Sequence, residues 1–254
     1  MRHSFSYTLL ITWLMLLASC GGNVVKTGFE TENISVSEET ASSDSSIIEL
    51  YKPFKKILDT DMNRVISVSE FQMEKDKPES LLTNFLADLL LEESAIISNN
   101  KALNISPDVS FFNYGGIRTF LPKGEITVGK IFELMPFENE LVFVELSGQK
   151  MKDFLDYTAG HGGDSVGGAR FTISNDKATK ISIGGKVFDP TKSYWLVTND
   201  YIAAGGDGLS MLQNNLNYIK NGEKIRDVII SYMERKQAQG ETITAELDGR
   251  ISYE

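Results

Sequence analysis

ISIGGKVF, residues 181–188, is two short apolar runs joined by a pair of glycines. Two adjacent residues free to take positive φ are what a two-residue hairpin turn needs, because only the mirror-image turn types match the right-handed twist of the flanking strands. The stretch therefore predicts neighbouring antiparallel strands. Around it, helical and strand patterns are mixed, without an internal repeat of fixed period and without a regular βαβ succession. That combination predicts an α+β class, with a doubly wound α/β sheet as the alternative.

Working outward from the hairpin, Tyr194–Thr198 and Leu141–Leu146 (LVFVEL) read as interior strands, and Gly148–Tyr157 as the helix that follows the second. Val109–Phe112 is a short buried strand. Glu79–Ala95 places Leu82, Phe85, Leu86, Leu89 and Leu90 on one helical face. Thr127–Met135 predicts a short helix and Glu223–Lys236 a late amphipathic one. Arg64–Phe71 alternates poorly, but its β-branched content favours a strand. Ile47–Asn63 has helical spacing of Ile47, Leu50, Tyr51, Phe54, Ile57 and Leu58, with Pro53 tolerated only near the first turn.

Residues 1–20, MRHSFSYTLLITWLMLLASC, have a basic residue near the start, an apolar core and small residues before a cysteine. The apolar core is too short to span a bilayer, so this is a secretory leader. Leu17, Ala18, Ser19 and Cys20 resemble the lipobox of a bacterial lipoprotein, which implies lipidation at Cys20 and a place at the bacterial cell envelope, on its periplasmic side or outer surface. Cys20 is the only cysteine, so a disulfide within the rest of the chain is excluded. Residues 21–46, rich in Ser, Thr and Glu, read as a disordered tether. Residues 47–254 hold the apolar periodicity of a folded domain. The net charge of −10 makes a nucleic-acid polymer a poor partner, since affinity for one comes from Lys and Arg neutralising phosphates.

Three stretches depart from scaffold composition: NYGGIR (113–118), LMPFENELVFVEL (134–146) and TNDYIAAGGDGLSML (198–212). Glycine lets a backbone take positive φ and approach a ligand without a Cβ in the way. Here Gly115 and Gly116 sit beside Asn113 and Arg118, and three glycines surround Asp207. Two such loops, each with a polar group, together with the aromatics Phe137 and Tyr201, point to a small-molecule site.

The order and spacing of NYGGIR, KGEITVGKIFELMPFENELVFVELSGQKMKDFL, GGARFTI and VTNDYIAAGGDG resemble the C-terminal, substrate-binding domain of 5′-nucleotidases over about residues 47–254. The resemblance implies a four-layer α/β/β/α fold that binds a nucleoside or nucleoside monophosphate. It also implies roles for single residues. Phe137 and Tyr201 would sandwich the base, Tyr201 standing where the family often has phenylalanine. Asn113 would hydrogen-bond the base, Gly115 would let the backbone approach, Arg118 would reach the phosphate and Asp207 would accept from ribose hydroxyls. The chemistry of these side chains suits those tasks: an aromatic face stacks on any base, and a planar guanidinium can pair two phosphate oxygens.

Family members that hydrolyse nucleotides carry a separate two-metal phosphoesterase domain with motifs such as DxH, GNHE and GHxH, none of which this chain contains. Its two histidines are His3, in the leader, and His161, which reads as a loop residue. No cofactor is therefore expected in this chain, and divalent metals are expected only in a partner metallophosphoesterase. A further departure is KDKPES (75–80), where other members supply an additional phosphate-contacting arginine and this chain offers Lys75 and Lys77. Two other readings stay open: a solitary nucleoside- or nucleotide-binding lipoprotein without catalysis, and a degenerate domain kept as an interaction scaffold.

Overall fold

The computed structural model describes residues 31–33 and 44–254; Cys20 and the leader lie outside them. The chain divides into two units at Tyr51/Lys52, and nearly all described elements belong to the second. In chain order these are α1 (Ser45–Met62), β1 (Val65–Ser69), α2 (Leu81–Asn100), β2 (Val109–Phe112), β3 (Gly124–Thr127), α3 (Val128–Leu134), β4 (Glu140–Ser147) and α4 (Gly148–Gly160). Then follow β5 (Ser165–Gly167), β6 (Ala169–Ser174), β7 (Lys177–Ile183), β8 (Lys186–Val187), β9 (Ser193–Asn199), α5 (Asp200–Ala203), β10 (Asn217–Lys224), α6 (Ile225–Ala238) and β11 (Ile251–Tyr253).

The glycine pair does what its sequence predicts. Gly184 and Gly185 take φ of 57° and 75°, and β7 turns directly into antiparallel β8. The four-stranded sheet so formed has the order β11-β6-β7-β8, and a five-stranded sheet has the order β10-β4-β9-β2-β5. In the larger sheet the only parallel pair is β2 with β9, and every other neighbouring pair is antiparallel. A doubly wound sheet is mostly parallel, whereas three of the four neighbouring pairs here are antiparallel, so the α+β class holds and the alternative does not.

The larger sheet is buried on both faces, which explains why its central strands read as continuous apolar runs. One face presents Phe112, Leu141, Phe143 and Val197 to α2, α3 and α6. The other presents Phe111, Val142, Val144 and Leu196 to α4 and the four-stranded sheet, which adds Phe171, Ile173 and Ile183. Consecutive Phe111 and Phe112 thus enter separate cores, as strand geometry requires. Phe111 meets Phe154 of α4 edge-on at 5.1 Å between ring centroids. Burying each such phenylalanine contributes roughly 2–3 kcal/mol. Helices α2, α3 and α6 on one face of the larger sheet, and the four-stranded sheet with α4 on the other, make up the mixed α and β body.

α2 begins where Ser80 caps it: the Ser80 hydroxyl accepts from Thr83 N–H at 3.1 Å while the Thr83 hydroxyl accepts from Ser80 N–H at 2.8 Å. This reciprocal cap fixes the start two residues after the expected one. The helix then continues to Asn100, five residues past the sequence reading. α1 differs from expectation at Pro53. Asp44 accepts from Ser46 N–H at 2.9 Å, so the helix starts early and Pro53 lies in its interior, where it cannot donate to the preceding turn. No described helix is long and apolar enough to cross a membrane.

Candidate functional site

Strand directions decide where the three unusual loops go. β2 and β9 run parallel, so their C-terminal ends leave the same edge of the sheet, while antiparallel β4 enters at that edge, with Leu141 opposite Asn199. The loop after β2 is NYGGIR, the loop after β9 is DYIAAGGDG, and the loop before β4 carries Pro136 and Phe137. All three therefore open onto one cleft of about 500 Å³. Its lining includes Asn113, Gly115, Arg118, Phe137, Tyr201 and Asp207.

Asn113 stands at the end of β2 and is 8% exposed. Its Nδ2 donates to Asp207 Oδ2 at 2.7 Å, and its Oδ1 accepts from Asn199 Nδ2 at 3.3 Å. Asn199 in turn caps α5, its Oδ1 accepting from Ile202 N–H at 2.8 Å. One chain of amides thus ties the ends of two strands to the glycine loop. Gly116 is required by this packing: a Cβ there would lie 2.7 Å from Asn113 Oδ1. Gly115 meets no such obstacle. Its own carbonyl accepts from Arg118 Nη1 at 3.2 Å, which holds the exposed guanidinium at the cleft rim.

The turn 114–117 is also held from behind. Lys75 Nζ donates to the carbonyls of Tyr114 and Ile117 at 2.9 and 2.6 Å and lies 4.2 Å from the centre of the Tyr114 ring. Burial and the neighbouring Arg118 cation lower its pKa, partly offset by Asp164. Asp164 is buried, and that burial pushes its carboxyl up to about 6 against the pull of the Ser165 and Tyr114 backbone N–H groups, Lys77 and His161. Lys77 Nζ is bonded to the His161 carbonyl.

Phe137 and Tyr201 are 40% and 49% exposed, with rings facing the cleft rather than packed into either core. The Phe137 main chain is fixed by Arg226, whose Nη1 donates to its carbonyl at 3.4 Å while the guanidinium stacks on Phe132 at 3.9 Å. Asp207 adopts φ 52° between Gly205 and Gly208, both also left-handed. His161 ends α4 and stacks on Tyr157 at 4.0 Å between centroids.

Sequence reasoning missed Asn139 and Met135 in the lining, and Tyr157, whose hydroxyl donates to the Asp207 carbonyl at 2.5 Å. Tyr157 comes from α4, on the far side of the chain order, and only its place on the helix face could have pointed to it. Among the described residues, no group of three or more His, Cys, Asp or Glu side chains is placed to hold a metal ion.

The fold and cleft define a domain of mixed α and β structure, with two aromatics, a carboxylate and a guanidinium meeting at one sheet edge. The family model for the 5′-nucleotidase C-terminal domain matches residues 60–214, and the chain belongs to that family. It is 25% identical over 203 residues to a 5′-nucleotidase of Vibrio vulnificus, covering 78% of this chain and 36% of that protein. It is 28% identical over 235 residues to the protein UshA of Yersinia enterocolitica, covering 89% and 41%. The chain thus spans well under half the length of these relatives. Among solved structures, a 5′-nucleotidase precursor from Thermus thermophilus superimposes with a TM-score of 0.66 at 24% identity, over 85% of this chain and 44% of that one, a likeness of fold.

Proposed function

We propose that the cleft binds a nucleoside or nucleoside monophosphate, and that the chain is the substrate-binding part of a 5′-nucleotidase-type system completed by a separate metallophosphoesterase chain. The observation that carries this reading is the meeting of Phe137, Tyr201, Asn113, Arg118 and Asp207, drawn from three distant loops, around one cleft. Two half-exposed aromatics offer faces to a base. Asn113 offers an amide beside them, Asp207 an acceptor for sugar hydroxyls and Arg118 a cation for phosphate. Hydrolysis of the ester would use metal ions and an activated water held by the partner chain. This chain's contribution is to hold the nucleotide in register with them. The envelope location follows from the lipobox-like residues 17–20 and belongs to the same proposal.

Purified protein is assayed for AMP hydrolysis with divalent metal, alone and mixed with a metallophosphoesterase encoded by a neighbouring gene. Release of phosphate only in the mixture is expected, and activity in neither sample would count against the shared system.

Lys75 favours a second reading, capture of nucleosides without chemistry. Its ammonium is spent on the Tyr114 and Ile117 carbonyls, which leaves Arg118 as the cation at the cleft rim. Calorimetry with Arg118→Ala separates the two. If AMP binding weakens about tenfold or more while adenosine is unaffected, the phosphate is part of the ligand; if neither ligand responds, the nucleoside reading stands. The exposure of Phe137 and Tyr201 speaks against a scaffold whose aromatics have retired into the core.

A further inference from the structure

Asp207 does not stand in the cleft as an open acceptor. Its Oδ1 accepts from the Tyr201 phenol at 2.8 Å and its Oδ2 accepts from Asn113 Nδ2 at 2.7 Å. The phenol oxygen also accepts from the Asp207 backbone N–H at 3.3 Å. Both carboxylate oxygens are therefore engaged within the protein, one by an amide and one by a hydroxyl.

The loop is shaped around the second contact. Tyr201 lies against the backbone of Gly206 so closely that a Cβ there would sit 2.5 Å from its ring. Asp207 takes a left-handed φ of 52°, which an L side chain adopts at a cost, and that conformation turns its carboxylate back toward Tyr201. Tyr201 is 49% exposed and its hydroxyl could point to water, yet it is directed at the carboxylate.

We propose that the Tyr201 hydroxyl competes with ligand hydroxyls for the Asp207 carboxylate, so that Tyr201 sets how strongly the cleft discriminates sugars by their hydroxyl groups. The proposal rests on the reading of the cleft as a nucleoside site. A phenol O–H and a sugar O–H are donors of the same kind. A sugar diol arriving at Asp207 has to displace the phenol from Oδ1 or take the lone pair that it leaves. Exchanging one hydroxyl–carboxylate bond for another gains little, because the free protein already holds the bond that the ligand would make. The cleft then selects by base and is tolerant toward the sugar. Asp207 holds the Tyr201 phenol above its ordinary pKa, so the proton that makes this bond stays on the phenol.

The test compares adenosine with 2′,3′-dideoxyadenosine by calorimetry on the wild type and Tyr201→Phe, which keeps the ring and removes only the hydroxyl. The wild type is expected to bind both nucleosides with similar affinity. In Tyr201→Phe, adenosine should bind about tenfold tighter while dideoxyadenosine is unchanged, as expected for a hydrogen bond to a charged group that no longer replaces another. A uniform loss for both ligands would show that the phenol merely braces the loop, and an unaltered ratio would show that it does not compete; either overturns the proposal. Failure of both nucleosides to bind the wild type overturns it together with the nucleoside reading. Spectrophotometric titration of the phenol in the wild type and in Asp207→Asn then separates the two failures. A lower phenol pKa in the variant means that the Tyr201–Asp207 contact is real and that the ligand assignment was wrong; equal values mean that the contact itself is absent.

Discussion

Truncating Phe137 to alanine tests the aromatic wall of the cleft with little collateral change. The residue is 40% exposed and belongs to neither core cluster. Its partial burial makes the ring worth about 1–2 kcal/mol of stability, less than a core phenylalanine. The main chain keeps its course, because Arg226 holds the Phe137 carbonyl and is itself stacked on Phe132. What the variant loses in function is one base-stacking face, worth about 1–3 kcal/mol, or about 5- to 150-fold in Kd. Adenosine and AMP should weaken by the same factor, since stacking does not involve the phosphate. Calorimetry with both ligands reads the effect, and a thermal melt confirms folding. If the folded variant binds adenosine within about twofold of the wild type, the ring is not on the ligand and the sandwich is wrong.

Two further outcomes follow from the geometry. In Gly116→Ala the new Cβ would lie 2.7 Å from Asn113 Oδ1, which forces the amide off its partners; nucleoside affinity measured by calorimetry should fall about tenfold, and an unchanged Kd would remove Asn113 from the site. Asp164→Asn concerns stability: the native carboxyl titrates at about 6 against 3.8 for the free group, so between those values the folded state binds the proton more tightly and wild-type stability falls as pH rises. That loss, of order 3 kcal/mol, should be absent from the variant, and parallel urea midpoints for the two proteins from pH 4 to 7 would contradict it.

The parts of the fold that were legible in the sequence are those fixed by short-range chemistry. The glycine pair of the β7–β8 turn, the apolar run of β4 and the face of α2 each follow from residues within one element. Ends were less legible. α2 runs on to Asn100 through IISNN, where the sequence offers no glycine or proline to stop it, and Pro53 lies inside α1 because the cap is at Asp44, nine residues before it. β5 and β11 are three residues each, and β11 pairs with β6 across a long stretch of chain, so nothing local announces them. The candidate site was legible only as a joint pattern of loops. Asn113 and Asp207 are 94 residues apart, and no spacing rule brings them to 2.7 Å.

Strand direction brings those loops together. Because β2 and β9 are parallel, two strands release their following loops at one edge; because β4 is antiparallel to β9, its preceding loop reaches the same edge. Had β2 paired with β9 in the opposite sense, NYGGIR would have left at the far side of the sheet from Tyr201 and Asp207. The glycines then serve different purposes within one arrangement. Gly116 makes room for the Asn113 amide, whereas Gly205 and Gly208 flank the left-handed Asp207 and let the chain reverse around it. Such a site is pre-formed by its own side chains: the carboxylate, the amide and the phenol already satisfy one another before a ligand arrives. On the proposed nucleoside reading, the two aromatic faces add affinity without giving up an internal partner, whereas Asp207 takes a sugar hydroxyl by exchanging one bond for another.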